Sequence, residues 1–208
     1  MRLVAPLSVA VVAFGVSYGV LARTAHMGAF APIVMSATTF AGSAQFAVAS
    51  ILHDRGGAAA AIAAAVLLNA RYVPIGISIA RGFTGGRARR LAESQLVVDE
   101  SWAIAVGAGR FDRRVLVGAG LVLYAGWVGG TALGVLGGSA LGNPNRLGLD
   151  AAFPALFLAL VAPRLRERRA LLAALAGGAL AAALIPAAPP GVPIVAASAA
   201  CLIGWRRA

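Results

Sequence analysis

The chain contains 208 residues, of which 60% are hydrophobic and 12% are charged. Soluble globular proteins average about 45–50% apolar and about 25% charged residues, so a mean hydropathy of +0.86 excludes both a water-facing globular surface and a disordered chain. The net charge of +11 comes from 18 arginines and 7 acidic residues. Most of these arginines lie in short clusters between apolar runs. Such clusters set membrane orientation, so the charge does not indicate nucleic-acid binding.

Long apolar runs define the fold class. About 20 apolar residues cross a bilayer as an α-helix, whereas a membrane β-barrel would show alternating segments of about 10 residues. The chain therefore predicts an all-α, polytopic helical membrane protein with seven or eight membrane elements in a single transmembrane domain, residues 1–208. In chain order, the elements are residues 3–22, 27–52, 56–80, 95–109, 115–138, 147–163, 170–185 and 192–205.

Two of these elements differ from ordinary membrane helices. Residues 27–52 are interrupted by Pro32 and by the small, polar stretch 40–46, whereas residues 95–109 are short and contain Asp99 and Glu100. Broken or short helices at membrane depth are tolerated only where the loosened backbone faces protein or water. We therefore predict broken or re-entrant helices in both segments.

The distribution of arginines distinguishes two topologies. If both unusual segments are re-entrant and the N-terminus is cytoplasmic, 14 of the 18 arginines lie on the cytoplasmic side and 3 lie outside. If both segments cross the membrane, the counts are 11 and 6. The positive-inside rule favours the re-entrant arrangement, with residues 81–90 in the cytoplasm, and the crossing arrangement stays open as the alternative.

Arg71 is the charge that is hardest to explain at membrane depth. It lies about 15 Å along a helix from the nearer end of residues 56–80, which is far for its side chain to reach the membrane surface. An unpaired charge near the bilayer centre costs at least ~2.5–3.5 kcal/mol. We expect its planar guanidinium to pair with a carboxylate of the protein or of a substrate. The alternative is an arginine folded against helix carbonyls.

Asp99 and Glu100 are the best candidates for that carboxylate. Adjacent helical residues diverge by about 100°, so both side chains cannot face one partner. One of them can instead sit at the helix N-terminus, where an anion is favoured. The other can point into a pore, where a poorly solvated carboxylate can carry a proton.

The stretch 40–46 offers groups that suit the polar end of a small zwitterion. Gly42 exposes backbone, Ser43 carries a hydroxyl and Gln45 carries an amide, as in discontinuous membrane helices that bind substrates. We predict that these three residues bind substrate together with Asn69 and Arg71. In the alternative interpretation, the small residues pack two helices together and Gln45 forms a hydrogen bond between them.

Motifs for catalysis are absent from the sequence. It contains no His/Cys spacing typical of metal ligands, no nucleophile elbow and no HExxH motif. We predict no enzymatic activity, no metal and no cofactor.

The order of several short motifs over residues 6–163 resembles the AzlC family, the large subunit of two-component bacterial branched-chain amino-acid exporters. The matching residues are Phe14-Gly15, Met35-Ser36, the stretch 40–46, Asn69-Ala70-Arg71, Asp99-Glu100, Trp127, Gly130-Thr131, Gly134, Gly148-Leu149-Asp150 and Phe153-Pro154.

The resemblance implies a multi-pass permease of the bacterial cytoplasmic (inner) membrane. It would export valine, leucine, isoleucine or related hydrophobic amino acids, driven by the proton gradient. Independently of the resemblance, the cost of a charge at membrane depth leads us to predict that Asp99 or Glu100 carries the coupled proton. The expected partners are the amino-acid substrate, the lipid bilayer and a small hydrophobic AzlD-like membrane subunit. Two alternatives stay open: a passive channel or facilitator for small solutes, and a noncatalytic membrane scaffold.

A glycine stripe in residues 115–138 could bind such a subunit. Small residues let helix backbones approach closely in a membrane. We therefore expect this face to pack against a partner helix. The stripe comprises Gly118, Gly126, Gly130, Gly134 and Gly138.

Overall fold

The computed structural model describes residues 4–106, 111–138, 158, 162, 164–188 and 192–204. This part of the chain contains no strand, which confirms the all-α class. Its helices are α1 (Val4–Thr24), α2 (Phe30–Thr39), α3 (Gly42–His53), α4 (Ala58–Asn69), α5 (Tyr72–Ile79), α6 (Arg87–Ser94), α7 (Asp99–Val106), α8 (Arg113–Gly137), α9 (Arg168–Leu184) and α10 (Val192–Ala197), with short 3₁₀ turns at Ala80–Gly82, Arg164–Arg166 and Ser198–Gly204. Apart from Leu158 and Ala162, the predicted element 147–163 lies outside the described residues.

Three helices among the described residues are long and apolar enough to cross a membrane. They are Leu7–Thr24 in α1, Ala58–Gly82, which joins α4 to α5, and Arg113–Gly137, which is α8. Shorter apolar helices are found at Phe30–Thr39 and Val192–Ile203. These lengths agree with the predicted class of helical membrane protein.

Helices α1 and α8 pack together so closely that their backbones touch. A Cβ atom added to Gly19 would collide with the carbonyl oxygen of Thr131, and one added to Gly134 would collide with that of Val16. So close an approach is possible only because glycine has no side chain, as in other small-residue membrane contacts. Gly130 meets Val12 and Gly134 meets Val16, so the two helices run parallel.

The prediction that the glycine stripe binds a partner helix is therefore wrong for most of its length. The missing side chains at Gly126, Gly130 and Gly134 make room for α1 of the same chain, and Gly138 lies near Val20. Of the five predicted positions, only Gly118 faces open space. Such close packing also requires small residues on the facing helix, and α1 provides them with its own glycines.

Helices α4 and α5 cross from one end of α8 to the other with a break at Ala70 and Arg71. Pro74 explains the break, because proline has no N–H and its ring clashes with the carbonyl four residues earlier. The freed Ala70 carbonyl accepts instead from the N–H of Val73 at 3.1 Å. Beyond α5, Gly82 lies beside Phe111, just before α8 begins. Arg71 is thus near the middle of this crossing segment.

Helix α2 enters from the end of the molecule where α1 finishes, and it stops near the middle of α8. There the hydroxyl of Tyr124 donates to the carbonyl of Ala37 at 2.7 Å, and its ring packs edge-to-face on Phe40. Phe40 adopts a left-handed conformation, with φ 44° and ψ 49°, and ends the helix. The predicted break in residues 27–52 is confirmed.

Helix α3 returns to the end from which α2 came. It runs antiparallel to α4: Ser43 contacts Arg71 at one end of the pair, and Ile51 clusters with Ala61 at the other. Since α4 starts at the end opposite Phe111, α3 ends there too. Residues 27–52 are therefore re-entrant.

The second unusual segment forms a hairpin from the opposite end. Leu96, in the turn after α6, packs on Gly120 of α8, and α7 begins at Asp99. Helix α7 then descends until the carbonyl of Ala105 accepts from the N–H of Asp112 at 3.0 Å, just before α8 begins. Both unusual segments are thus hairpins that start and finish at one end of α8, which is the geometry that the re-entrant arrangement requires.

An ion-pair network holds α6 against the start of α8. Glu93, only 8% exposed, accepts hydrogen bonds from Arg113 and from Arg89. These hydrogen bonds, chiefly the one from Arg113, lower the pKa of Glu93 to about 2. We call this end of the molecule the arginine-rich end; its arginines are Arg81, Arg87, Arg89, Arg90, Arg113 and Arg114.

Replacing Gly134 by alanine should destabilise the fold, because its new methyl group would collide with the α1 backbone. Overpacking of this kind costs about 1–3 kcal/mol. Thermal unfolding in detergent should show a lower Tm for Gly134→Ala. Gly129→Ala, on the open face of α8, should match or slightly exceed the Tm of the unmodified protein, because alanine is favoured over glycine inside a helix. Equal Tm values for both variants would contradict the close α1–α8 contact.

Candidate functional site

The two hairpin tips meet at Arg71. Its Nη2 atom donates to the Oγ of Ser43 at 2.6 Å and lies 2.9 Å from Oδ2 of Asp99. Its guanidinium also lies over the Tyr72 ring, with Cζ 5.2 Å from the ring centre. The arginine is therefore paired with a carboxylate rather than folded against helix carbonyls. Ser43 belongs to one hairpin and Asp99 to the other, so Arg71 connects both.

A small cavity of about 50 Å³ surrounds this contact. It has room for ordered water, since one water needs roughly 10–15 Å³ of such volume. Five of the seven predicted site residues line it, namely Gly42, Ser43, Arg71, Asp99 and Glu100, and its remaining walls are mainly aromatic and aliphatic. The structure thus places most of the predicted binding and proton-carrying groups together.

Two helix N-termini point into this cavity. Helix α3 begins at Gly42 and helix α7 begins at Asp99, so the free backbone N–H groups and the positive dipole ends of both helices converge near Arg71. The first turn of α7 carries its own carboxylates, whereas that of α3 carries no acidic residue. The α3 end of the cavity is therefore suited to an additional anion.

Asp99 and Glu100 have different surroundings. Asp99 forms the ion pair with Arg71, whereas Glu100 lines the same cavity and has no ion pair within the described ranges. This matches the expectation that the two neighbours cannot share one partner. The structure thus provides one paired carboxylate and one carboxylate available for another ligand.

Gln45 does not line the cavity. Its Oε1 atom accepts from Nε1 of Trp127 at 3.0 Å and from the N–H of Ala41 at 3.2 Å, and its Nε2 donates to Ser36 at 2.8 Å. Ser36 continues the network to Thr131 at 2.9 Å. Gln45, Ser36 and Thr131 are fully buried. The amide thus fixes the first hairpin to α8, as in the alternative interpretation of this residue.

Asn69 lies outside the small cavity and instead borders two larger ones. Together with Thr39, it lines a cavity of about 660 Å³ towards the arginine-rich end and one of about 680 Å³ between α2, α3 and α4. Its Oδ1 atom is buried and has no hydrogen-bond partner among the described residues. The same holds for Nε of Arg71.

Sequence reasoning missed the aromatic residues of the site. Phe40 and Tyr72 line both the small cavity and the 660 Å³ cavity. These two aromatic residues therefore separate one cavity from the other. The position of Tyr72 beside a charged residue in an apolar run was a usable signal. Phe40 begins the stretch 40–46 that the sequence singles out, but the polar residues of that stretch, rather than its phenylalanine, suggested a site.

Comparison with known proteins gives consistent matches. The family model described as AzlC protein matches residues 6–141. An uncharacterized membrane protein of Archaeoglobus fulgidus is 34% identical over 204 residues, which cover 96% of this chain and 90% of that protein. The branched-chain amino acid transport protein AzlC of Bacillus subtilis is 29% identical over 173 residues, which cover 81% of this chain and 68% of that protein. No solved structure matches at a significant level.

Replacing Gln45 by leucine should lower stability, because the N–H groups of Trp127 and Ala41 would lose their acceptor. Leaving a buried donor unpaired costs about 1–3 kcal/mol. The Tm in detergent should fall well below that of Thr38→Val, a control at an exposed hydroxyl of α2. An unchanged Tm would show that Gln45 does not hold the hairpin.

Proposed function

This chain belongs to the AzlC family, and we propose that it exports branched-chain or related hydrophobic amino acids across a bacterial cytoplasmic (inner) membrane as a multi-pass, proton-coupled permease. The observation that carries the proposal is the Arg71–Asp99 ion pair between two re-entrant hairpins. Discontinuous helices that meet near the middle of the bilayer are typical of substrate sites in secondary transporters.

An amino acid complements the two charges of this pair. Its carboxylate would bind the planar guanidinium of Arg71. It would also accept hydrogen bonds from the free N–H groups at the α3 N-terminus near Gly42 and Ser43. Its ammonium group would face Asp99 or Glu100. A zwitterion inserted between Arg71 and Asp99 leaves the net charge of the site unchanged, so neither protein charge stays buried without a partner.

Proton coupling follows from competition for one carboxylate. A protonated Asp99 or Glu100 no longer attracts the ammonium group of the substrate, and a bound ammonium group disfavours protonation. Proton and amino acid would therefore occupy the site in turn. Such alternation is what exchange of an outgoing amino acid for an incoming proton requires.

We also propose that the permease works with a small hydrophobic AzlD-like subunit. The family relationship is the main support. The segment Ala58–Gly82 adds to it, because this crossing segment is far less covered by the rest of the described chain than α1 or α8. Ile62, Val66, Val73 and Ile77 are all highly exposed on it. A helix of the second subunit could cover these side chains.

Transport into proteoliposomes that contain the chain and its partner subunit tests the coupling. A pH gradient should accelerate leucine transport by the unmodified protein. Either Asp99→Asn or Glu100→Gln should abolish this acceleration while leucine counterflow stays measurable. Asp54→Asn, at the exposed end of α3, should transport normally. If both site variants and their combination keep pH-driven transport, the proton pathway does not include these carboxylates.

Arg71→Lys should weaken leucine binding, because an ammonium group cannot reproduce the two-pronged contact of a guanidinium. Loss of one hydrogen bond to a charged group costs about 1.5–3 kcal/mol, so KM for counterflow should rise roughly 10-fold to 100-fold. An unchanged KM would place the substrate carboxylate elsewhere.

Thiol labelling tests the proposed orientation. In a Cys201→Ala background, Thr84→Cys at the arginine-rich end should react with an impermeant reagent only after cells are opened. Gly57→Cys, at the opposite end, should react in intact cells. The reverse pattern would invert the proposed topology.

A further inference from the structure

The 660 Å³ cavity lies between α5, α6 and the tip of the first hairpin. It extends from Asn69 and Thr39, near the middle of the membrane segment, to Arg87 and Arg90 at the arginine-rich end. Phe40 and Tyr72 separate it from the small cavity around Arg71. Its volume falls in the range of about 300–1,000 Å³ that is usual for small-molecule sites.

One face of α5 forms a wall of this cavity. The lining residues recur at helical spacing, so they form a single stripe that faces inwards. Gly76 lies in the middle of the stripe, and a Cβ atom added there would meet no atom within 4 Å. The stripe on α5 consists of Tyr72, Gly76 and Ile79, and Ala80 and Phe83 line the cavity just beyond the end of the helix.

The walls of the cavity are apolar between two polar ends. Ile79 and Phe83 line one side, Leu91 and Val97 line the other, and the polar groups of Asn69 and Arg90 lie towards opposite ends. An apolar chamber of this kind favours an aliphatic side chain, because its walls offer few hydrogen-bond partners.

We propose that this cavity is the compartment through which an aliphatic amino acid reaches Arg71 from the arginine-rich end, and that Gly76 sets the largest side chain that fits. The proposal rests on the proposed amino-acid transport. Gly76 is then a specificity-determining residue: side-chain atoms added there occupy the space that the substrate side chain needs.

A counterflow series with alanine, valine and leucine tests the size limit. Gly76→Val should raise KM for leucine relative to alanine by roughly tenfold or more, the usual effect of one or a few methylene groups in an apolar pocket. Gly76→Ala should give a smaller shift in the same direction. Gly129→Val, at an equally open glycine of α8, should leave the ratio unchanged. An unchanged ratio in folded Gly76 variants would overturn the size-limit proposal.

A labelling experiment tests the cavity without relying on transport. In the Cys201→Ala background, Gly76→Cys should react with an impermeant thiol reagent applied from the side that labels Thr84→Cys, because the cavity extends to Arg87 and Arg90 at that end. Gly129→Cys should not react. An unreactive Gly76→Cys would overturn the access route even if leucine is transported. Failure of the unmodified protein to transport any aliphatic amino acid, with Gly76→Cys reactive, would instead count against the proposed function.

Discussion

The contact of Arg71 with Asp99 and Ser43 governs the architecture of this protein. A charge at membrane depth is expensive, and an ion pair there is tolerated only if its geometry and surrounding hydrogen bonds are good. Arg71 belongs to a crossing segment, Ser43 to one re-entrant hairpin and Asp99 to the other. The three can meet only because each element is interrupted near this point. The breaks in the helices are thus a condition for burying the charge.

Each break exposes backbone groups, and the structure satisfies many of them with polar side chains from elsewhere. At the end of α2, the Thr38 carbonyl accepts from Gln95 at 2.8 Å and the Ala37 carbonyl accepts from Tyr124. At the start of the second hairpin, Ser101 bonds to the backbone of Leu96 and Val98. In a membrane such groups have no bulk water to replace these partners. Most of the buried polar side chains in this core therefore maintain the hairpins, and few are left for a substrate.

The candidate site could be partly predicted because charge is expensive in any part of a membrane. Arg71 and Asp99 stand out in the sequence for this reason alone, and Ser43 follows from the broken stretch around it. Gln45 and Asn69 could not be separated in the same way. Both are amides in apolar segments, yet the Gln45 amide is hydrogen-bonded to Trp127, Ala41 and Ser36. Asn69 borders two cavities, and its buried Oδ1 atom has no hydrogen-bond partner among the described residues. Only the neighbours of each amide distinguish the two.

The sequence by itself determined the properties that depend on composition and local pattern: the helical class, the membrane environment and the interruption of residues 27–52. Tertiary structure decided which way each interrupted segment turns, because a hairpin and a crossing helix have the same local composition. It also decided that the α8 glycines pack on α1 and that Asp99, rather than Glu100, pairs with Arg71. These choices depend on contacts between residues far apart in the chain, and a hydrogen bond or close packing forms only at distances that the assembled helices define.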